Sequence, residues 1–360
     1  MSSRTTVAIV GTVGVPACYG GFETLAANLA ESVTDSLEYT IFCSSKAYKK
    51  HIHHYANAKL VYVGLKANGM QSVLYDSVSL VRALRFDAIL LLGVSGAIAL
   101  PFLRLVFHGR IITNVDGVEW KREKWSPVAR RILHFSEMLA VLFSDLVIAD
   151  NKAIVDHIKE AYGRKALLIE YGGDRAMVPH KSMAYDFLNG VYAISVCRIV
   201  PENNVEMILQ AFSRGLGMPC VIVGNWSASS YGKELKRQFS GKPNLHLLDP
   251  IYDPGCIDFL RASSALYIHG HKAGGTNPSL VEAMALGLPI IAYDVIYNRE
   301  TTENQCLYFG DADSLGSMVS NITKEERTAI GLRMEEIAKR RYLWLDIIAK
   351  YEHAIIDTLP

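Results

Sequence analysis

A chain of 360 residues, half of them hydrophobic, is long enough for two cores of ordinary domain size. Its 37 basic and 36 acidic side chains leave a formal charge of +1, which excludes a nucleic-acid binder working through bulk electrostatics. Six scattered cysteines without a CxxC pair, most of them in apolar runs where a thiol behaves as a small hydrophobe, imply a reduced, cytoplasmic setting.

The first apolar run, residues 7–10, reads as a buried parallel strand and is too short for a secretion signal. It feeds Gly11, Gly14 and Pro16, then Tyr19, Gly20, Gly21, Phe22 and Glu23, with a helix expected to about Ser32. Gly11 and Gly14 stand three apart, so the GxGxxG dinucleotide fingerprint is not matched and a dehydrogenase is disfavoured. What remains is a long glycine-lined loop before a helix, able to approach a diphosphate or a sugar closely; tight helix packing is the plainer alternative. Further strands are expected at 39–43, 60–63, 88–92, 110–115, 146–149 and 166–169, with helical patterns such as 70–85 and 127–143 between them. That alternation gives an open, mostly parallel sheet with helices on both faces. His51, His53 and His54 match no metal-site spacing and read as a polar loop. Residues 88–107 have the length of a bilayer span, yet Gly93, Ser95, Gly96, Pro101 and Arg104 interrupt them. A buried strand, a turn and a short helix are expected there, and no transmembrane segment.

After the strand at 110–115 come Asn114, Asp116, Glu119, Trp120, Arg122, Lys124 and Trp125. Ligands gather at the carboxyl ends of strands in such sheets, so indole faces for sugar C–H surfaces and acids for hydroxyls make a sugar site. Asp116 is the first candidate for an acceptor-side acid and Glu119 the second; the alternative is a surface loop whose tryptophans tuck into the core. Between 121 and 131, five basic residues stand against Glu123, ahead of an amphipathic helix bearing Ile132, Leu133, Phe135, Leu139, Leu142 and Phe143. An anionic bilayer surface attracts that pattern, and a solvated charge run beside a core helix is the simpler account.

Residues 176–190 read as a linker, after which the pattern restarts with a strand at 191–197. Arg198 follows directly, placed for two phosphate oxygens at once, or as a plain surface arginine. A helix to 212 and strands at 220–223 and 245–248 come next, then an apolar strand at 265–268 and the run Gly274, Gly275, Thr276, Asn277, Pro278. Asn277 is a good N-cap and Pro278 suits the first helical position, so a helix should cover 278–286 and stop at Gly287 before a strand at 289–292. Free N–H groups of such a loop seat phosphate oxygens, and Glu282, one turn up, suits ribose hydroxyls. Together they suggest a nucleoside diphosphate; a plain turn with a solvated Glu282 is the alternative. Asp311 and Asp313 have a DxD look, but Asp313 is expected to cap the following helix and no metal is expected. Amphipathic helices should run from 323 to 358.

Three motifs in order carry a resemblance that spans nearly the whole chain. They are G-x-x-G-x-P-x-x-Y-G-G-F-E-T at 11–24, N-x-D-G-x-E-W-x-R-x-K-W at 114–125, and H-G-H-x-x-G-G-T-N-P-S-L-V-E-A-M-A-x-G-x-P at 269–289. The chain resembles retaining GT-B glycosyltransferases of the family 4 type, and among them the bacterial dTDP-rhamnose-dependent rhamnosyltransferases. The resemblance implies an α/β GT-B fold of two Rossmann-like domains facing a cleft: 1–175 for the acceptor, 176–340 for the nucleotide sugar, with 341–360 a helix crossing back to the first. It implies transfer of L-rhamnose from dTDP-L-rhamnose to a sugar acceptor linked to a lipid diphosphate, in bacterial cell-surface polysaccharide synthesis. The implied location is cytoplasmic, peripheral at an anionic membrane face, with no metal cofactor and no nucleic-acid partner. It assigns Asp116, Arg198 and Glu119 to catalysis. Gly20, Gly21, Asn203, Ile251, His271, Gly274, Gly275, Thr276, Asn277 and Glu282 fall to the donor, the turns at 224–226 and 249–252 taking the nucleobase.

Two departures matter. Gly274 stands where most of the family carries a second glutamate, which argues against glucose or mannose as the donor sugar. Asn203 stands where a lysine is usual, leaving Arg198, the amides near Thr276 and His271 to hold the leaving group. A UDP-hexose-dependent transferase and a non-catalytic nucleotide-sugar-binding protein of the same fold are the competing readings.

Overall fold

In the computed structural model, which describes residues 4–17, 20–122, 125–177 and 185–359, the chain divides into two compact units. The first runs to Lys121, resumes from Trp125 to Glu170 and takes in the C-terminal stretch from Leu345; the second holds Arg122 and Tyr171–Trp344.

The first unit is built on β1 (Thr5–Val10), β2 (Leu37–Ser44), β3 (His54–Tyr55), β4 (Ala58–Val63), β5 (Ala88–Leu92), β6 (Arg110–Asn114), β7 (Leu146–Ala149) and β8 (Leu167–Leu168). Their order is β3-β4-β2-β1-β5-β6-β7-β8, parallel except for the β3–β4 pair. Val7 pairs with both Tyr39 and Ala88, which puts the first strand in the middle and reverses the strand order between β1 and β5. Both faces are covered, so β5 is buried along its whole length and reads as an unbroken apolar run. β4 covers the strand expected at 60–63, whereas β3 lies in the stretch expected to be loop: two residues carry no periodicity, and Ala56 turns the chain at φ +46°. After β5 the chain makes a 3-10 turn (Ser95–Ala99) and a short helix (Leu100–Leu103). No helix among the described residues is long and apolar enough to cross a membrane.

The second unit carries β9 (Ala193–Val196), β10 (Cys220–Val223), β11 (Leu245–Leu248), β12 (Leu266–His269), β13 (Ile290–Tyr293) and β14 (Leu307–Phe309), all parallel, in the order β11-β10-β9-β12-β13-β14. Alternate residues feed two cores: Val221, Val223 and Tyr267 on one face, Cys220, Ile222 and Ile268 on the other. Helix Pro278–Ala285 buries Leu280, Val281 and Met284 completely in the first of these, each worth about 1.5–3 kcal/mol of transfer out of water.

The boundary between units falls at Glu170/Tyr171, ahead of the expected 175/176. Gly172 and Gly173 are already packed into the second unit: a Cβ on Gly172 would stand 2.5 Å from the Trp344 ring, and one on Gly173 2.4 Å from the Val281 carbonyl oxygen. The linker expected at 176–190 lies partly outside the described residues. Its end is not loose chain, because Tyr185 stacks on Phe187 at 5.0 Å and Phe187 packs on Tyr192 and His246. The helix after β14 is capped by Asp311, whose Oδ1 accepts from Ser314 N at 2.7 Å; Asp313, expected in that role, sits within the first turn and pairs with Arg214. Helices Lys324–Arg341 and Trp344–Thr358 end the chain. In the first unit, Lys350 of the terminal helix pairs with Glu170 at 3.1 Å and Tyr351 is fully buried.

Candidate functional site

In the second unit, β9 and β12 lie side by side where the strand order reverses, the place at which open α/β sheets receive ligands beyond the strands' carboxyl ends. Arg198 leaves β9 here with an exposed side chain, and no acid among the described residues pairs with it. Its turn is stitched to the loop after β12. Asn203 Nδ2 donates to the Arg198 carbonyl at 2.7 Å, Asn204 Nδ2 to the Gly270 carbonyl at 2.9 Å, and Lys272 N to the Glu202 carbonyl at 2.9 Å. Glycine at 270 is obligatory, since a Cβ there would lie 2.2 Å from the Asn203 carbonyl oxygen. Asn203, expected to face the donor, is buried and braces Arg198's turn instead.

Along the next loop the His269 and His271 rings stack at 4.4 Å with 10° between their planes, and Tyr267 lies behind His269 at 6.1 Å. Residues two apart on a strand share a face, which aligns Tyr267 with His269, and His271, two residues past the strand's end, continues the column. Neither ring nitrogen of His269, nor Nδ1 of His271, has a hydrogen-bond partner among the described residues. Burial pushes the His269 pKa down to about 3; burial, then His269, Arg198 and Arg122, hold His271 well below its ordinary value. Asn298 Nδ2 fixes the His271 backbone by donating to its carbonyl at 2.8 Å. The loop then passes through Gly274 at φ +128°, with Arg122 Nη2 3.8 Å from where a Cβ would stand. The Gly274 and Gly275 N–H groups have no acceptor among the described residues. Thr276 is buried, and Asn277 caps the helix as expected, its Oδ1 accepting from Ser279 N at 3.1 Å.

Glu282 is not the solvated acid of the plainer reading. Its Oε2 lies 2.6 Å from Arg261 Nη2, and Arg261 Nη1 lies 3.1 Å from Asp258 Oδ1. Burial opposes charge on Arg261, but Glu282 and its other neighbours outweigh it and raise the pKa, so the guanidinium stays charged and fixes the carboxylate. Glu282 keeps 27% exposure, which leaves part of the group open to a ligand hydroxyl. Ile251 is half-buried against the core, and Trp226, in the other turn proposed for a nucleobase, is a buried fold residue donating Nε1 to the Leu248 carbonyl at 2.9 Å.

In the first unit, the loop after β1 is closed by its own carboxylate. Glu23 Oε1 accepts from Val13 N at 2.8 Å and Thr12 Oγ1 at 3.2 Å, while Oε2 accepts from Gly20 N at 2.8 Å. The Gly20 amide, expected on the donor, is thus spent within the unit; Gly21 opens the helix Gly21–Glu31, and Cys18 and Tyr19 of the motif lie outside the described residues. Asp116 adopts φ +58°, a conformation that costs a non-glycine residue energy and gathers at functional positions. Asn114 holds it, accepting from Asp116 N at 3.0 Å and donating Nδ2 to Tyr351 Oη at 2.5 Å. Glu119 accepts from Trp125 Nε1 and Glu137 from Trp120 Nε1, each at 3.1 Å, so both indole N–H groups anchor the loop. Glu137 also takes Tyr162 Oη and His157 Nε2 at 2.8 Å; burial works against its charge, but these bonds prevail and lower its pKa. Glu137, Arg261 with Asp258, and His269 were not singled out from the sequence. The available signal was Glu137 as the one acid within Pro127–Phe143, and the i, i+3 pair Asp258 and Arg261 within the otherwise uncharged Pro254–Ala262. Among the described residues no group of three His, Cys, Asp or Glu is placed to hold a metal ion.

Residues 187–315 match the family model described as glycosyl transferases group 1, and residues 4–174 match one described as a domain of unknown function, DUF1972. The chain is 29% identical over 164 residues to an uncharacterized glycosyltransferase, MJ1069, of Methanocaldococcus jannaschii; the match covers 41% of this chain and 41% of that protein, so the chain spans less than half the length of this curated relative. Among solved structures, sucrose-phosphate synthase from Thermosynechococcus elongatus superposes with a TM-score of 0.81 at 14% identity over 98% of this chain and 99% of its own. Anabaena HepE in complex with UDP superposes with a TM-score of 0.73 at 16% identity over 98% and 100%, and its UDP-glucose complex at 0.74 over 99% and 100%. The fold is that of the GT-B glycosyltransferases, two parallel-sheet α/β domains.

Proposed function

From a second half that matches the glycosyl transferases group 1 and a fold shared with GT-B enzymes, we propose that this chain is a retaining glycosyltransferase that moves L-rhamnose from dTDP-L-rhamnose to an acceptor sugar on a lipid diphosphate. The observation that carries the reading is the reversal point of the second sheet. There the turn that bears Arg198 is hydrogen-bonded to the loop that bears the Gly274 and Gly275 amides, and among the described residues neither the guanidinium nor these amides meet a carboxylate. As the bond from sugar C1 to the diphosphate breaks, its electron pair passes to the β-phosphate, and these groups, fixed beforehand, stabilise the charge that develops. The acceptor hydroxyl attacks from the face the diphosphate leaves and gives its proton to a departing phosphate oxygen, which retains configuration without a covalent enzyme adduct. In the first unit, Asp116, held by Asn114, is the acid offered to an acceptor hydroxyl. Arg198 and the amides supply the leaving-group stabilisation, so the reaction is read as running without a metal cofactor.

A deoxysugar donor is favoured by glycine at 274 in place of an acid. UDP-glucose is the second reading, favoured by the nucleotide sugar in the HepE structure. A panel of dTDP- and UDP-sugars assayed for transfer and hydrolysis decides: preference for dTDP-rhamnose supports the first, and preference for UDP-glucose overturns it. Nucleotide binding without turnover on any donor would support the non-catalytic reading.

For the lipid-linked acceptor, the support is a face of the helix Pro127–Phe143. Val128, Ile132, Phe135 and Leu142 are exposed along it beside Phe102, Leu105 and Val106, with Arg130 and Arg131 on the same helix. Apolar side chains flanked by cations suit an anionic bilayer surface, in whose plane such a helix lies. Flotation with phosphatidylglycerol vesicles tests it, and a Phe135→Ser, Ile132→Ser variant that floats like the unaltered chain would overturn it.

A further inference from the structure

His269 and His271 are a column of two neutral imidazoles with three ring nitrogens that have no hydrogen-bond partner among the described residues, set beside the Arg198 turn. In the free protein that arrangement is unfavourable, since each buried polar group left unsatisfied costs about 1–3 kcal/mol. After burial and His269, the charges acting on His271 are those of Arg198, from the turn after β9, and Arg122, and all oppose a proton on the ring. Behind His269 lies Tyr267, with Cys197, Arg261 and Glu282 around that hydroxyl. Glu202 is the acid of the adjoining turn, and its carbonyl accepts from Lys272 N. A diphosphate seated against Arg198 reverses the field: it brings acceptor oxygens for an unpartnered N–H and negative charge that favours the imidazolium.

We propose that the His269–His271 stack binds a proton together with the nucleoside diphosphate: His271 is neutral in the free protein and an imidazolium beside the seated phosphates, resting on the neutral ring of His269. The inference rests on the reading of this loop as a diphosphate seat and deepens it. It makes His271 a binding residue whose positive charge is switched on by the ligand, with His269 as its positioning residue. A permanent cation there would add to the repulsion between Arg198 and Arg122 in the free protein; an inducible one does not. The ring face of His269 accepts the cation much as other aromatic faces do.

The test is calorimetric titration of the full chain with dTDP, and with UDP in parallel, at about pH 7.5 in two buffers of different ionisation enthalpy. The expected result is uptake of about one proton on binding, with affinity falling up to about tenfold per pH unit between roughly pH 7 and pH 9. His271→Gln should abolish the uptake, weaken binding about tenfold and flatten the pH profile. That variant also separates the imidazole from the terminal phosphate's own proton. His269→Phe keeps a ring for His271 to rest on and should retain the uptake. Binding without proton uptake, uptake that survives in His271→Gln, or uptake lost in His269→Phe would each overturn the proposal. Failure of dTDP and UDP to bind at all would remove the diphosphate reading itself, and this inference with it.

Discussion

The two units use the same strand order around their first strand, yet they treat the helix start next to it in opposite ways. In the first, the glycine loop after β1 is filled by Glu23, which takes the Val13 and Gly20 amides and the Thr12 hydroxyl. In the second, Glu282 is drawn aside by Arg261, and the Gly274 and Gly275 amides meet no acceptor among the described residues. A helix N-terminus with exposed amides attracts an anion. One unit supplies that anion from its own sequence and becomes scaffold; the other does not, and its loop is the one proposed to seat a diphosphate. Glycine-rich loops of similar appearance therefore divide into a structural and a binding device according to where the nearest carboxylate is tied.

Removing the tie is expected to have the largest effect. Arg261→Met leaves Asp258 and Glu282 facing each other in a largely buried place, and the second unit should lose roughly 3–5 kcal/mol in denaturant unfolding. A change below about 1 kcal/mol would mean that Glu282 is held by something else. Arg198→Ala should leave stability unchanged, because the side chain is exposed, while slowing transfer by about 100- to 1000-fold, or roughly 3–4 kcal/mol. An unaltered rate would end the contrast between an open and a filled site.

Close approach is common to both units, and the matched variants Gly11→Ala and Gly270→Ala test it. A Cβ would stand 2.1 Å from the Leu92 carbonyl oxygen in one and 2.2 Å from that of Asn203 in the other. Each should cost about 2–3 kcal/mol by thermal unfolding, and only Gly270→Ala should also weaken dTDP binding. The imidazole column adds a pH signature to the second unit alone. The folded pKa of His269 is about 3, below the ordinary 6.5. Below about pH 6.5 the unfolded chain therefore binds a proton that the folded one refuses. Stability is full above that pH and falls as the pH drops toward about 3, by up to about 1.4 kcal/mol per unit, and His269→Phe should lack this slope. Unfolding curves of equal steepness would count against the buried neutral ring. The smallest effect is expected from Glu23→Gln, about 1–2 kcal/mol of stability with dTDP affinity unchanged; a change in affinity would show that the first loop is not merely scaffold.

Much of the scaffold was legible because local rules decide it. Ser126 and Pro127 start the helix that ends at Phe143, Asn277 and Pro278 start the one that crosses the second core, and the apolar runs at 88–92 and 220–223 are strands to the residue. The positions of Arg198 after a strand and of the 274–277 loop before a helix were likewise legible, since they are sequence properties. What escaped depends on partners distant along the chain. Glu282 meets Arg261 twenty-one positions earlier, and Asn114 meets Tyr351 from the last helix; no window of sequence contains either pair. Asn203 looked like a donor contact because its burial could not be read locally, and Trp120 looked like a sugar platform because Glu137 was not known to lie beneath it. The DxD stretch was assigned the wrong capping residue by two positions, an ordinary uncertainty where two acids open one helix.

The backbone at residue 274 bears on how donor choice could be changed. At φ +128° only glycine sits without strain, so writing glutamate into this one position would bend the turn before the new carboxylate could reach a sugar. Reprogramming the enzyme toward hydroxyl-rich hexoses should therefore require grafting the entire segment from 270 to 277, backbone path included, and a single-codon conversion is expected to yield a weaker binder of every donor.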